Sequence, residues 1–167
     1  MIYVGIDPGL TGAVAFINTA GGAVAIEDIP TRDVTGGAVV RKRVDGLELA
    51  RMLRRHCPAD QLAVVTLEAV HAIAGKREGQ GGMQQMGSLE RTSGAIEAVL
   101  EVLRMPFVAV YPQSWKRLYD LSKDKNAARQ MACRLYPDAQ GLLARVRDHN
   151  RAEALLLAHY GLTKGEQ

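Results

Sequence analysis

The chain opens with alternating apolar runs and tight breaks. Residues 2 to 7, Ile-Tyr-Val-Gly-Ile-Asp, read as a buried strand that Pro8-Gly9 turns. Residues 12 to 18 read as a second strand, and Gly21-Gly22 reads as a hairpin turn into a third, Ala23 to Ile29. Residues 31 to 43 are polar and contain glycine, which predicts a loop. Asp45 is placed to cap a helix from Gly46 to His56, with Leu47, Leu49, Ala50, Leu53 and Cys57 as its apolar stripe and Pro58 as its stop. Residues 62 to 68 form a fourth apolar strand that ends in Glu68. A glycine-rich loop is expected over 70 to 83, then a long helix from Gln84 to Arg104 and a fifth strand from Phe107 to Tyr111. Pro112 suits the first turn of a short helix carrying Trp115 and Lys116. Further helices are predicted over 124 to 135 and from His149 to Tyr160.

A three-stranded meander followed by α/β crossovers implies a five-stranded mixed sheet flanked by helices. The 167 residues suit one domain, with no repeat or linker apparent. Hydrophobic residues make up 47% and charged residues 23%, which excludes a disordered chain. Aromatics are only 5%, so the core must be mainly aliphatic. No run suits a membrane helix and the start does not read as a signal peptide, so a cytoplasmic location is expected. Cys57 and Cys133 lack zinc-ligand or redox spacing and read as reduced thiols. Net charge is +3, but the bases cluster, as in Arg41-Lys42-Arg43 and Arg145, Arg147 and Arg151. Such clusters fit a polyanion if several share one face, and otherwise are ordinary solvated surface.

The candidate chemistry lies in acids. Asp7 and Glu68 each finish an apolar strand, and the last helix starts near Asp148 and carries Glu153. These acids meet only if the first and fourth strands are neighbours and the last helix crosses their ends. Divalent ions on such carboxylates suit phosphodiester hydrolysis, with Asp7 bridging, Glu68 and Glu153 on either side, and Asp148 or Asn150 completing the set. Each acid also has a plainer reading: Asp7 as a turn former, Asp148 as a helix cap, Glu153 as an exposed helical residue.

Four segments in order resemble the RuvC family of Holliday junction resolvases. They are Gly5-Ile-Asp7-Pro-Gly9-Leu-Thr-Gly12-Ala; Leu67-Glu68-Ala-Val with Gln84-Gln-Met-Gly87-Ser-Leu-Glu-Arg91-Thr-Ser-Gly94; Tyr111-Pro112-Gln-Ser-Trp115-Lys116 with Lys123-Asp-Lys125; and Asp148-His-Asn-Arg-Ala-Glu153-Ala-Leu-Leu-Leu-Ala158. The Arg-Ala-Glu-Ala form of the last is similar to phage-type members. The resemblance implies an RNase H-like fold with strand order 3-2-1-4-5, a homodimer, and magnesium- or manganese-dependent nicking of branched DNA. It implies metal ligands at Asp7, Glu68 and Glu153, with Asp148 or Asn150 as the fourth, and Lys116 near the scissile phosphate. Lys76, Arg77, Gln84, Ser88, Arg91, Lys123 and Lys125 become expected DNA contacts. The family's usual last acid is Asp, so Glu153 is a departure. Competing readings are a YqgF-like nuclease acting on RNA, a junction-binding protein without catalysis, and an actin-like ATPase, for which the chain is too short.

Overall fold

The structure is a computed structural model that describes residues 1–18, 23–36, 39–70, 80–121 and 125–165. Of these, the side chains of 23–24, 36, 39, 80–85 and 125 are not described. Strands β1 (Ile2–Asp7), β2 (Ala13–Asn18) and β3 (Ala23–Asp28) form the meander. β4 (Thr31–Gly36) and β5 (Val39–Val44) follow, then α1 (Gly46–His56), β6 (Ala63–Glu68), α2 (Gln80–Val102) and β7 (Phe107–Val110). The chain continues through α3 (Pro112–Leu118), α4 (Lys125–Leu135), two 3-10 turns (Pro137–Leu143 and Val146–Asp148) and α5 (His149–Gly165).

The main sheet has the order β3-β2-β1-β6-β7. β1 is antiparallel to β2 and parallel to β6, and β6 is parallel to β7. This is the mixed five-stranded sheet expected from the pattern, with the strand order that the resemblance implied. The stretch read as a loop over 31 to 43 is instead a β4–β5 hairpin, a separate two-stranded sheet. Its β-branched residues, Thr31, Val34, Thr35, Val39, Val40 and Val44, favour extended backbone. Its charges hid it, because neither face carries a continuous apolar row. α2 starts at Gln80, inside the expected glycine-rich loop, and α5 continues past Tyr160 to Gly165. Leu47 is exposed rather than part of the α1 stripe, and Met52 is buried with Leu49 and Leu53. The Asp45 cap is as expected, accepting from the backbone N–H groups of Leu47 and Glu48 at 3.1 Å each. Cys57 and Cys133 are free thiols. Among the described residues, no helix is long and apolar enough to cross a membrane.

Strand alternation divides the core in two. Ile2, Val4, Ile6, Val65 and Leu67 pack with α1 and α2. Tyr3 packs with α3, α4 and α5 on the opposite face, and Val64 packs against that same cluster. Asp7 and Glu68 share the α5 face by the same period of two. α5 is covered on nearly all sides, burying Ala152, Ala154, Leu155, Leu156, Leu157, Ala158 and Leu162. A helix apolar all round belongs in an interior.

Gly5 sets the distance between β1 and α5. A Cβ there would lie 2.0 Å from the Ala154 carbonyl oxygen and 2.2 Å from the Ala158 backbone nitrogen. Neither backbone atom can rotate away, so only glycine fits. Gly5→Ala is expected to destabilise the fold by about 3 kcal/mol, read from the urea midpoint. Gly94 in α2 has nothing within 4 Å of such a Cβ. Gly94→Ala should be neutral or stabilising by up to ~1 kcal/mol.

Candidate metal centre

The parallel register pairs Ile6 with Leu67. The next residues on these adjacent strands are Asp7 and Glu68, at the same end of the sheet. The close seat of α5 on Gly5 then brings Glu153, next to Ala154, over the same spot. One carboxylate oxygen from each of Asp7, Glu68 and Glu153 lies within 4.8 Å of the others, and all three side chains are partly buried.

Two polar contacts pin the start of α5 over the strand ends. The Asn150 side-chain amide donates to the Thr11 carbonyl at 2.6 Å, joining α5 to the turn after Asp7. Arg151 holds Asp28 at the end of β3 with two hydrogen bonds, at 2.6 and 2.9 Å. Glu153 is therefore located by its helix, and the helix by contacts on both sides.

Lys116 of α3 faces the acids. Its ammonium donates to Glu153 Oε1 at 2.9 Å and lies 4.9 Å from the Trp115 ring centroid. Trp115 is fully buried and forms a wall of the site. Its indole N–H approaches Glu68 closely enough to favour the charged carboxylate. It does not complete a hydrogen bond of normal geometry, and neither Glu68 Oε2 nor Trp115 Nε1 has a partner although both are buried.

Three carboxylates thus face one ammonium. Burial pushes the Asp7 carboxyl well above the usual carboxylate range, and the neighbouring Glu68 and Glu153 push it further. Burial, then the charge of Glu153, raises Glu68 to about 7, against the opposing pull of Lys116. Desolvation and like charge both disfavour the ionised form, and a divalent cation would reverse both. The donor set fits such an ion: hard oxygen ligands, a surplus of negative charge, and a buried carboxylate oxygen with no partner.

Asp148 is not part of this cluster. It is buried and held by Arg145, whose guanidinium donates to Oδ1 at 2.8 Å and whose backbone N–H donates to Oδ2 at 2.8 Å. These bonds hold its carboxyl below the usual range. Asp148 closes the 3-10 turn before α5 instead of capping α5 itself. Asn150 stands one helical turn before Glu153 and beside the Asp7 turn. Ser88 and Arg91 lie on α2, Arg91 exposed. Gln84 is on α2 and Lys125 opens α4, with side chains not described. Lys76, Arg77 and Lys123 lie outside the described residues. Trp115 as a wall and Arg145 as the partner of Asp148 were not foreseen. A buried tryptophan carries no spacing signal, and the Arg145–Asp148 link resembles any pair three residues apart.

No protein-family model and no curated protein matches the chain. Among solved structures, Thermus thermophilus RuvC in complex with Holliday junction substrate matches with a TM-score of 0.59 and 17% identity, covering 99% of this chain and 96% of that one. A second structure of Thermus thermophilus RuvC matches with a TM-score of 0.50 and 17% identity, covering 99% and 97%. The chain therefore has a RuvC-like fold.

Glu68 gives the site a stability signature. A carboxyl that binds its proton more tightly when folded costs nothing below pH 4.5, and destabilises the fold increasingly as pH rises to about 7. Glu68→Gln should remove this penalty, which is at most ~3 kcal/mol at pH 8. Without divalent ions its Tm at pH 8 should exceed wild type by up to roughly 6–12 °C, with the gap closing by pH 4.5. Magnesium or manganese should raise the wild-type Tm and leave that of the variant nearly unchanged. Scanning calorimetry at the two pH values reads both effects.

Proposed function

We propose that this protein is a metal-dependent, structure-selective endonuclease that nicks branched DNA, chiefly four-way junctions. The carrying observation is the convergence of Asp7, Glu68 and Glu153 at one end of a RuvC-like sheet. Three of the four motif segments that resemble the resolvase family supply these acids, and the other supplies Lys116.

Magnesium or manganese suits the all-oxygen donor set, and two ions ~3.5–4 Å apart would activate water and stabilise the leaving oxygen of a phosphodiester. Asp7, which feels the charge of both other acids, would contact both ions, with Glu68 and Glu153 each holding one. The fourth ligand is better supplied by Asn150 than by Asp148, whose two oxygens are occupied by Arg145. The Asn150 amide nitrogen is anchored on Thr11, which fixes its orientation and leaves its carbonyl oxygen as a hard donor. Lys116 holds Glu153 in place and would put a positive charge beside a phosphate bound at the acids. Trp115 excludes water from the Glu68 side.

A homodimer would present two such sites to the two strands of a junction that must be cut symmetrically. The Arg-Ala-Glu-Ala form of the last motif supports a phage-type member working in the host cytoplasm.

The deciding assay incubates the protein with labelled four-way junction, fork and linear duplex, with and without magnesium or manganese. Paired, metal-dependent nicks confined to the junction are expected. Asp7→Asn should reduce nicking by at least ~10³-fold while junction affinity stays within a few fold of wild type. Magnesium-dependent cleavage by that variant at the wild-type rate would falsify the site assignment. Lys116→Met should lower the single-turnover rate on the order of 10²-fold with little change in affinity, as for removal of one stabilising charge from the reacting centre.

A further inference from the structure

Among its described side chains, the β4–β5 hairpin adds only the partly buried Val44 to the core. What it displays is charge. Its register sets Arg32 opposite Arg43 and Val34 opposite Arg41. Residues directly opposite, and those two apart, share a face, so Arg32, Arg41 and Arg43 point the same way. Asp33 pairs with Lys42 on the other face.

Two features of this face call for a ligand. Like charges directly opposite one another destabilise a hairpin, and Arg32 and Arg43 are such a pair. Arg51, Arg55, Arg145 and Arg151 elsewhere each hold a carboxylate. Among the described residues, none of the three hairpin arginines does.

Arg32, Arg41 and Arg43, together with Lys42 and Val44, line a groove of about 940 Å³ between the hairpin and α2. Ser88 and Arg91 line the opposite side, and no acid borders it among the described residues. Leu10, in the turn that follows Asp7, stands at its edge. The groove thus has the hairpin's bases on one side, Arg91 with Ser88 and Thr92 on the other, and Leu10 of the loop after Asp7 in its lining. An acid-free groove of arginines suits the sugar-phosphate backbone, which guanidinium groups grip through paired donors.

We propose that the arginine face of the β4–β5 hairpin, with Arg91 of α2, clamps the phosphate backbone of one duplex arm of the branched DNA substrate as that arm leaves the acid site. This rests on the nuclease reading above and adds a substrate-holding surface to it.

The test is junction affinity by fluorescence anisotropy, without divalent ions, across 50–200 mM salt, with wild type beside an Arg32→Ala, Arg41→Ala, Arg43→Ala triple variant. Each lost phosphate contact removes ~0.9 from the slope of log K against log salt. The triple variant should lose ~2.7 in slope and on the order of 10²-fold in affinity at 0.1 M salt. Its Tm should equal or exceed that of wild type, and its nicking rate at saturating junction should be unchanged. A triple Arg→Lys variant should keep most of the slope. Should the alanine variant not fold, Arg32→Ala alone must lower the slope by ~0.9. Wild-type slope in the alanine variant, or equal loss in the lysine variant, overturns the clamp while nicking by wild type keeps the nuclease reading intact. Wild type that neither binds nor nicks branched DNA overturns both.

Discussion

The close seat of α5 on β1 is the constraint from which the site follows. Gly5 lets the helix backbone touch the strand, and Ala154 and Ala158 keep the helix surface small where the two meet. Gly161 continues that stripe one turn on, where a Cβ would lie 2.5 Å from Thr66 Oγ1 of β6. A helix held this near carries Glu153 to within carboxylate distance of both strand-end acids. A side chain at position 5 would lift it away, and the longer reach of Glu over Asp would not restore three converging oxygens. The longer acid at 153 is better seen as one element of this geometry, held by Lys116 on one side and by the α5 anchors at Asn150 and Arg151 on the other.

That geometry costs stability. Bringing Asp7, Glu68 and Glu153 together with one ammonium leaves repulsion and desolvation uncompensated, as the raised proton affinities of Asp7 and Glu68 record. The fold carries this through packing elsewhere: two apolar clusters, one on each face of the sheet, and a final helix buried almost throughout. The contrast with Asp148 is instructive. Its carboxylate is matched by a guanidinium and a backbone N–H and is held low. Satisfied acids stabilise local structure, whereas under-compensated acids in a cluster mark a place where a cation belongs.

Much of this was legible in the chain. Asp7 and Glu68 end apolar runs, and the resemblance to the resolvase family implied that those runs are neighbours. The last helix was identifiable from Ala152, Leu155, Leu156 and Ala158. The hairpin over residues 31–44 was not, because a two-stranded ribbon with charge on both faces gives no apolar alternation. The start of α2 at Gln80 was hidden by Gly81 and Gly82, which read as a loop because glycine is a poor helix former. The stripe of α1 misled at Leu47, which the helix start turns to solvent while Met52 packs inward. Asp148 illustrates a different limit. Spacing along a helix shows which acids share a face, but not which of them a nearby arginine has already claimed.

An acid cluster and a polyanionic substrate make opposite demands on one surface. The carboxylates attract cations but repel phosphates, so DNA cannot be drawn in by the cluster itself. The attraction must come from basic groups close by, since at physiological salt charges screen within about 8 Å. Net charge of +3 is too small to steer from a distance. Only the local arrangement of the bases serves, and the fold arranges them unevenly: several arginines hold carboxylates, while among the described residues those of the hairpin hold none. A metal at the acids would lower the local repulsion at the moment a phosphate arrives, so metal loading and DNA engagement should favour one another. In the proposed nuclease the RuvC-like sheet would supply the fixed frame, with cation chemistry at the strand ends and backbone attraction on the ribbon beside them.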